Sequence, residues 1–238
     1  MGWTYEPYEV TEDELAAFVA DCDEQWRGLS LTMPLKAAAL ELGEVDPLAR
    51  FAGAANTLIF DGLRRRLYNT DVGGLVWAVR QTSSVPPASV TLLGSGATAR
   101  SSLLSVAQLG AQRVTILARS REKAEQLEAL AAALQLEVNL LPWAASVPTA
   151  DLVISTVSSG AADAMAPAIA DSAPLILDVV YQPWPTALAS ATQRSGATLI
   201  SGLDLLVGQA LGQIELMTGR TVAADILYAA GRKALASA

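Results

Sequence analysis

The chain is predicted to be an α/β protein of two domains, one of them built on a parallel, doubly wound sheet. Three observations carry this. Between residues 89 and 202, short runs rich in Val, Leu and Ile alternate with Ala-rich helical stretches, the pattern of parallel strands joined by crossover helices. Midway lies Thr91-Leu92-Leu93-Gly94-Ser95-Gly96-Ala97-Thr98-Ala99-Arg100, an apolar run that breaks on two glycines and restarts as small helix formers: strand, tight turn, helix. The composition, 52% hydrophobic but 5% aromatic over 238 residues, suits Ala-, Leu- and Val-rich helices packed on a sheet buried on both faces.

In chain order, Trp3 to Val10 alternates enough to be a strand, and Thr11-Glu12-Asp13-Glu14 has the spacing of a capping box that opens a helix through Val19. Gly28 to Met33 reads as the next strand. Pro34 then suits the first position of a helix carrying Lys36 to Leu42, which places Lys36 in a first helical turn, where the helix dipole disfavours a cation. Gly53 to Phe60, the turn Asp61-Gly62 and Leu63 to Tyr68 form a hairpin. The returning strand delivers Asn69, Thr70 and Asp71 to a helix from Val72 to Arg80, and Thr82 to Pro87 is a connector. Taken singly, Lys36 can be a solvated lysine, and Asn56, Asn69 and Asp71 can be turn or helix caps.

The turn at the centre has the Gly-x-Gly-x-x-Ala form of a dinucleotide-binding, Rossmann-like fingerprint in Gly94, Gly96 and Ala99. The first glycine permits the turn, the second lets backbone approach a pyrophosphate, and the small third residue packs helix on strand, with phosphate held on the helix N-terminus. A glycine turn also joins strands to helices where nothing binds. The second strand, Arg113 to Ala118, decides between the two. At its tip an NAD enzyme usually carries an acidic residue for the ribose hydroxyl, whereas this chain has Arg119, Ser120 and Arg121 with Lys123 behind. Cations and a hydroxyl favour a 2′-phosphate, and so NADP; the competing reading is that Ser120 only caps a helix from Glu122 to Leu134. Strands at 136–140, 152–156, 175–180 and 198–200 complete the sheet.

Composition narrows the function classes. A net charge of −8 repels a phosphate backbone, so nucleic acid is not an expected partner. No run of 18 apolar residues and no signal peptide is present, so a soluble protein without membrane attachment is expected. The single Cys22 fits a reducing cytoplasm and completes no metal site. There is no histidine, which leaves Lys, Asp, Glu and Tyr for proton transfer.

Taken together, several motifs resemble the shikimate dehydrogenase family in order and spacing: Ser30-Leu31-Thr32-Met33-Pro34-Leu35-Lys36, Gly53-Ala54-Ala55-Asn56-Thr57, Asn69-Thr70-Asp71-Val72-Gly73-Gly74, the glycine turn, Asp178-Val179-Val180-Tyr181-Gln182-Pro183-Trp184-Pro185-Thr186 and Gly202-Leu203-Asp204-Leu205-Leu206-Val207-Gly208-Gln209. The resemblance implies NADP-dependent, reversible reduction of 3-dehydroshikimate to shikimate, a step towards aromatic amino acids. It implies Lys36 and Asp71 as the catalytic pair and Thr32, Asn56, Tyr181 and Gln209 as substrate-binding residues. The implied cofactor-binding residues are Gly94, Ser95, Gly96, Ala97, Arg119, Ser120, Lys123, Thr156, Val179 and Gly202, with no metal. From the residues alone, Tyr181 reads as a core aromatic.

The expected organisation is a substrate-binding domain from 1–72 and 203–238, split by an NADP-binding domain at 73–202, the two bracketing one groove. Leu203, Leu206, Val207, Ala210, Leu211 and Ile214 form an apolar stripe with Gln209 off it, and a last helix from Ala223 to Leu235 is suited to packing on the opening strands. The family's pattern begins about one strand and one helix earlier, with a Ser-x-Ser-Pro motif for the substrate carboxylate, and no such motif precedes Trp3. The first domain is therefore expected to be short of that unit. Two functional classes stay open: an enzyme acting on shikimate or quinate, as monomer or homodimer, and a catalytically impaired NADP-binding sensor.

Overall fold

The computed structural model describes residues 2–62 and 64–236. Its contacts divide the chain into two compact units, one through Asn69 and one from Thr70 onward.

The first unit holds a four-stranded sheet in the order β1-β3-β4-β2: β1 (Gly28–Ser30), β2 (Glu44–Val45), β3 (Thr57–Asp61) and β4 (Arg64–Tyr68). β3 and β4 form the expected hairpin, with Thr57 opposite Tyr68 and Asp61 opposite Arg64. Leu63, the expected start of the returning strand, lies outside the described residues. Helix α1 (Glu12–Asp21) starts on the anticipated box, the Thr11 amide donating to the Glu14 carboxylate at 3.0 Å. Leu15 and Val19 of α1 pack with Leu58, Phe60 and Leu67 of the hairpin, together with Leu31, Leu35, Ala39 and Ala49.

Two expectations fail in this unit. Trp3 to Val10 is not a strand: Pro7 has no amide to give a ladder, and the segment pairs with no described strand. It is fastened by aromatic packing instead, the Tyr8 ring lying 5.3 Å from Phe18 and 5.6 Å from Trp26. Nor does Pro34 open a helix. Residues 33–37 form a turn, and a short 3-10 helix begins only at Ala38, so Lys36 is not in a first helical turn.

The second unit is the doubly wound half. Six strands, β5 (Ser89–Leu93), β6 (Arg113–Ala118), β7 (Glu137–Pro142), β8 (Leu152–Ser155), β9 (Leu175–Asp178) and β10 (Thr198–Ile200), form a sheet in the order β10-β9-β8-β5-β6-β7 with every pairing parallel. Alternate residues supply two cores. Val90, Leu92, Val114, Ile116, Leu152 and Ile154 face one side, with α3 (Asp71–Thr82), α4 (Ala97–Gln108) and α5 (Arg121–Ala133). Leu93, Leu117, Val153 and Ile176 face the other, with α6 (Ala166–Ala170) and α7 (Ala187–Ser195).

Two further helices, α8 (Gly202–Thr218) and α9 (Ala224–Leu235), also belong to this unit. The compact units thus differ from the expected boundaries at 72 and 203, because α8 crosses α3 closely enough to join its unit. Glycines permit the crossing: a Cβ on Gly74 would lie 2.5 Å from the Gln209 amide nitrogen, and one on Gly208 2.5 Å from the Gly74 carbonyl oxygen. Val207, Gly208 and Gln213 are buried, while the expected apolar stripe is otherwise half-buried. Helix α9 docks on α8, where the expectation placed it on the opening strands. The Tyr228 hydroxyl donates to Asp204 Oδ1 at 2.6 Å, and the Tyr228 ring lies 6.3 Å from Trp77. Burial and the Asp204 carboxylate both push the Tyr228 phenol above its usual range.

Gly208→Ala is expected to cost about 1–3 kcal/mol, since neither backbone at the crossing can yield like a flexible side chain. Thermal unfolding reads this as a lower Tm, by roughly 2–12 °C for a chain of this size. Among the described residues no helix is long and apolar enough to cross a membrane, and no cluster of His, Cys, Asp and Glu could hold a metal ion.

Candidate active site

The residues expected to hold the cofactor lie where the sheet order reverses, with β6 on one side of β5 and β8 on the other. Crevices at such points, beyond the carboxyl ends of the strands, are where ligands bind in open α/β sheets. Gly94 leaves β5 at φ +107, a conformation that favours glycine, and a Cβ there would lie 2.6 Å from Thr156 Oγ1. The turn is braced on both sides: the Gly94 amide donates to the Leu117 carbonyl at 2.9 Å, and the Thr156 hydroxyl donates to the Leu93 carbonyl at 2.8 Å. Ser95 follows, half-buried, and Gly96 is the residue before α4, exposed, with no atom within 4 Å of where a Cβ would sit.

No side chain caps α4, whereas α5, α7 and α8 are capped by Ser120, Thr186 and Ser201. The first amides of α4, beginning at Ala97, thus have no side-chain cap and follow an exposed Gly96 with open space at its Cβ position. They carry the positive end of the helix dipole, as a pyrophosphate requires.

At the tip of β6, Arg119 and Lys123 are exposed, and among the described residues neither is in an ion pair. Arg121 is diverted along the helix, its Nε 2.8 Å from Glu125. Ser120 accepts from the Lys123 amide at 3.4 Å, so the capping reading of this residue holds. An accepting hydroxyl keeps its proton to donate, so the cap and a phosphate contact are compatible. An uncapped helix start, a glycine cradle that a Cβ would fill and two unpaired cations at the ribose position fit a phosphorylated dinucleotide. Val179, beyond β9, donates its amide to the Ser155 carbonyl at 3.1 Å, and Gly202 lies against the Val179 carbonyl, where a Cβ would collide.

Asp71 and Gln209 meet at the α3–α8 crossing. Asp71 is the first residue of α3 and is 7% exposed, a carboxylate favourably placed at a helix start, one turn before Gly74, which abuts Gln209. The Ser105 hydroxyl of α4 donates to the Ser101 carbonyl of its own helix at 2.8 Å and stands 3.1 Å from the Val72 carbonyl, so α4 packs directly against the turn that bears Asp71. Tyr181 is 44% exposed, against its reading as a core aromatic, on a loop that contributes nothing to either sheet face.

In the first unit, backbone hydrogen bonds gather the remaining residues. The Lys36 carbonyl accepts from the Ala55 amide at 2.8 Å, the Asn56 carbonyl from the Leu31 amide at 2.7 Å, and the Tyr68 carbonyl from the Asn56 amide at 3.0 Å. Asn56 is fully buried, its Oδ1 accepting from the Thr57 hydroxyl at 3.0 Å, and Asn69 Nδ2 donates to the Ala54 carbonyl at 2.9 Å. Thr32 is exposed and Lys36 half-buried on the turn that follows β1.

Three features escaped the sequence reading: the Ser105 link, the buried Asp178 and the Gly74–Gly208 contact. Gly208 and Gly212 lie four apart on one face of α8, a visible sign of close helix approach, and a Cβ on Gly212 would lie 3.3 Å from Thr70 Cγ2. Ser105 and Asp178 carried no such sign.

Comparison with known proteins follows the division of the chain. Residues 1–58 match the shikimate dehydrogenase substrate-binding domain, and residues 65–172 match the alanine dehydrogenase/PNT C-terminal domain. The NADP(+) shikimate dehydrogenase of Methanothermobacter thermautotrophicus is 33% identical, the alignment covering 99% of this chain and 87% of that one. Among solved structures, the shikimate 5-dehydrogenase of Mycobacterium fortuitum has a TM-score of 0.86 at 37% identity, covering 96% of this chain and 86% of that one. The shikimate 5-dehydrogenase of Thermus thermophilus, solved with NADP(H) and shikimate, has a TM-score of 0.80 at 26% identity, covering 95% and 86%.

Proposed function

Because the chain belongs to the shikimate dehydrogenase family, we propose that it catalyses the NADP-dependent, reversible reduction of 3-dehydroshikimate to shikimate. The observation that carries this reading is the meeting of two half-sites in one unit: α4, with its uncapped start, lies against the helix start that bears Asp71 beside Gln209, Ser105 Oγ standing 3.1 Å from the Val72 carbonyl.

The chemistry supplied by the nicotinamide, when bound, is hydride transfer to the carbonyl carbon. Gly94, Ser95, Gly96 and Ala97 hold the pyrophosphate, Arg119, Ser120 and Lys123 the 2′-phosphate, and Thr156, Val179 and Gly202 shape the bed between. The carbonyl oxygen must gain a proton as the carbon gains hydride; the chain has no histidine to give it, and the resemblance to the family assigns that role to the Lys36 ammonium. The same charge stabilises the developing alkoxide before the proton moves. Asp71 is the carboxylate of the pair, and orients the proton donor or accepts from a substrate hydroxyl. Thr32, Asn56, Tyr181 and Gln209 orient the ring. In the oxidising direction Lys36 takes the proton back. The substrate half comprises 1–72 with 203–238, and the single Cys22 fits action in a reducing cytoplasm.

Purified protein given shikimate and NADP is expected to form NADPH at a rate that saturates with shikimate and is much lower with quinate. Binding of NADP by calorimetry without NADPH formation at any attainable shikimate concentration would overturn the enzyme and leave the NADP-binding sensor.

A further inference from the structure

Asp178 has no part in the chemistry above, yet its side chain ends β9 in the interior, 2% exposed. Burial raises its carboxyl above the usual range, and two hydrogen bonds oppose that rise. Oδ2 accepts from the Thr186 hydroxyl at 2.7 Å, and Oδ1 accepts from the Val180 amide at 3.2 Å. Thr186 in turn accepts from the Ala189 amide at 2.9 Å as the cap of α7.

The segment between therefore begins and ends on one buried carboxyl group. Val179 at its entry is held by the Ser155 carbonyl, whereas residues 181–185 are exposed and have no regular structure, with Tyr181 at 44% and Trp184 at 46%. Pro183 and Pro185 restrict part of this exposed stretch, and the freedom left to it depends on how its ends are fixed. Asp178 and Thr186 fix them.

We propose that Asp178 and Thr186 are positioning residues: their hydrogen bond closes residues 179–185 into the conformation that presents Tyr181 to the substrate. This rests on the reading of Tyr181 as a substrate-binding residue. With the clasp in place the loop is ordered before substrate arrives. Without it, only a fraction of molecules holds Tyr181 in place, and the apparent substrate affinity falls by that fraction. The cofactor cradle is built from other elements and keeps its affinity.

The test compares Thr186→Val, Thr186→Ser and Asp178→Asn. Valine removes both the donated bond and the α7 cap, while serine keeps both. Asparagine leaves the cap intact but offers one oxygen where the clasp uses two. KM for shikimate is expected to rise about tenfold in the valine and asparagine variants, with kcat within about threefold and the NADP Kd within about twofold, and to return to the parent value in the serine variant. Chymotryptic cleavage after Tyr181 should accelerate in the same two variants.

A KM unchanged in both variants, a rise in the valine variant alone, which reports only the cap, or an NADP Kd that rises in step, which reports general damage, each overturns the proposal. Should the valine variant not fold, the asparagine variant carries the test. Cleavage needs no turnover, so a parent protein inactive on shikimate defeats the functional reading while the clasp itself is still decided.

Discussion

Lys36→Ala lowers kcat for shikimate oxidation about 10³-fold or more, while the NADP Kd stays within about twofold. General acid–base catalysis alone contributes 10²–10⁴-fold, and the same ammonium supplies electrostatic stabilisation of the alkoxide. The backbone anchor of the turn survives the substitution: the Lys36 carbonyl accepts from the Ala55 amide, and alanine keeps it. The proposed cofactor residues from Gly94 to Ala97 and from Arg119 to Lys123 belong to the other compact unit, so the NADP Kd is expected to hold. Steady-state kinetics with calorimetric NADP binding reads both quantities. Lys36→Arg separates the two roles: it restores charge but holds its proton too tightly to give it up, and is expected to recover little of the rate. Turnover within tenfold of the parent in the alanine variant would remove Lys36 from the mechanism.

The parts of this molecule legible from sequence are those whose physics is local. β6 and β10 fall on the residues expected, because each is a short run rich in aliphatic and β-branched residues that turn residues must end. The capping box before α1 and the Asp61-Gly62 turn are equally short-range. Trp3 to Val10 shows the opposite case. Its alternation is genuine, but a strand also needs a partner edge, and partnership is not written in the segment itself. Lys36 went astray in a similar way: Pro34 is compatible with a helix start, yet the backbone from 33 to 37 is claimed by a turn tied to Ala55, a residue far along the chain.

At the site, the glycine turn was legible because the break from strand to helix at Gly94 is local, and the exposed Arg119 and Lys123 were so because charge at the end of a strand is read directly from the residues. The grouping of Asp71 with Gln209 was not, since it depends on two helices crossing through Gly74 and Gly208. From the residues alone Tyr181 reads as core, because an aromatic beside an apolar strand ordinarily is buried; only the resemblance places it at the substrate. The strand ends at Asp178, and the residues after it turn outward.

Arg119→Ala combined with Lys123→Ala is expected to raise the NADP Kd about 10²-fold and to leave the NAD Kd within about threefold. A charge-assisted hydrogen bond contributes about 1.5–3 kcal/mol when well shielded. Both side chains here are exposed, so each belongs at or below the low end, near a factor of ten. The 2′-phosphate is the one group that NADP has and NAD lacks. A contact with it therefore alters one affinity and not the other, whereas a contact with the shared pyrophosphate weakens both. The Ser120 cap donates nothing through the substituted side chains, since it binds the Lys123 backbone amide, and α5 should remain formed. Salt offers an independent check, because exposed charges are screened over about 10 Å at 0.1 M ionic strength. The parent's preference for NADP should fall as salt rises, and the double variant's residual preference should hardly move. If the two cofactors weaken together, Arg119 and Lys123 serve the pyrophosphate or the fold, and the choice of NADP must be made elsewhere on the β6 tip.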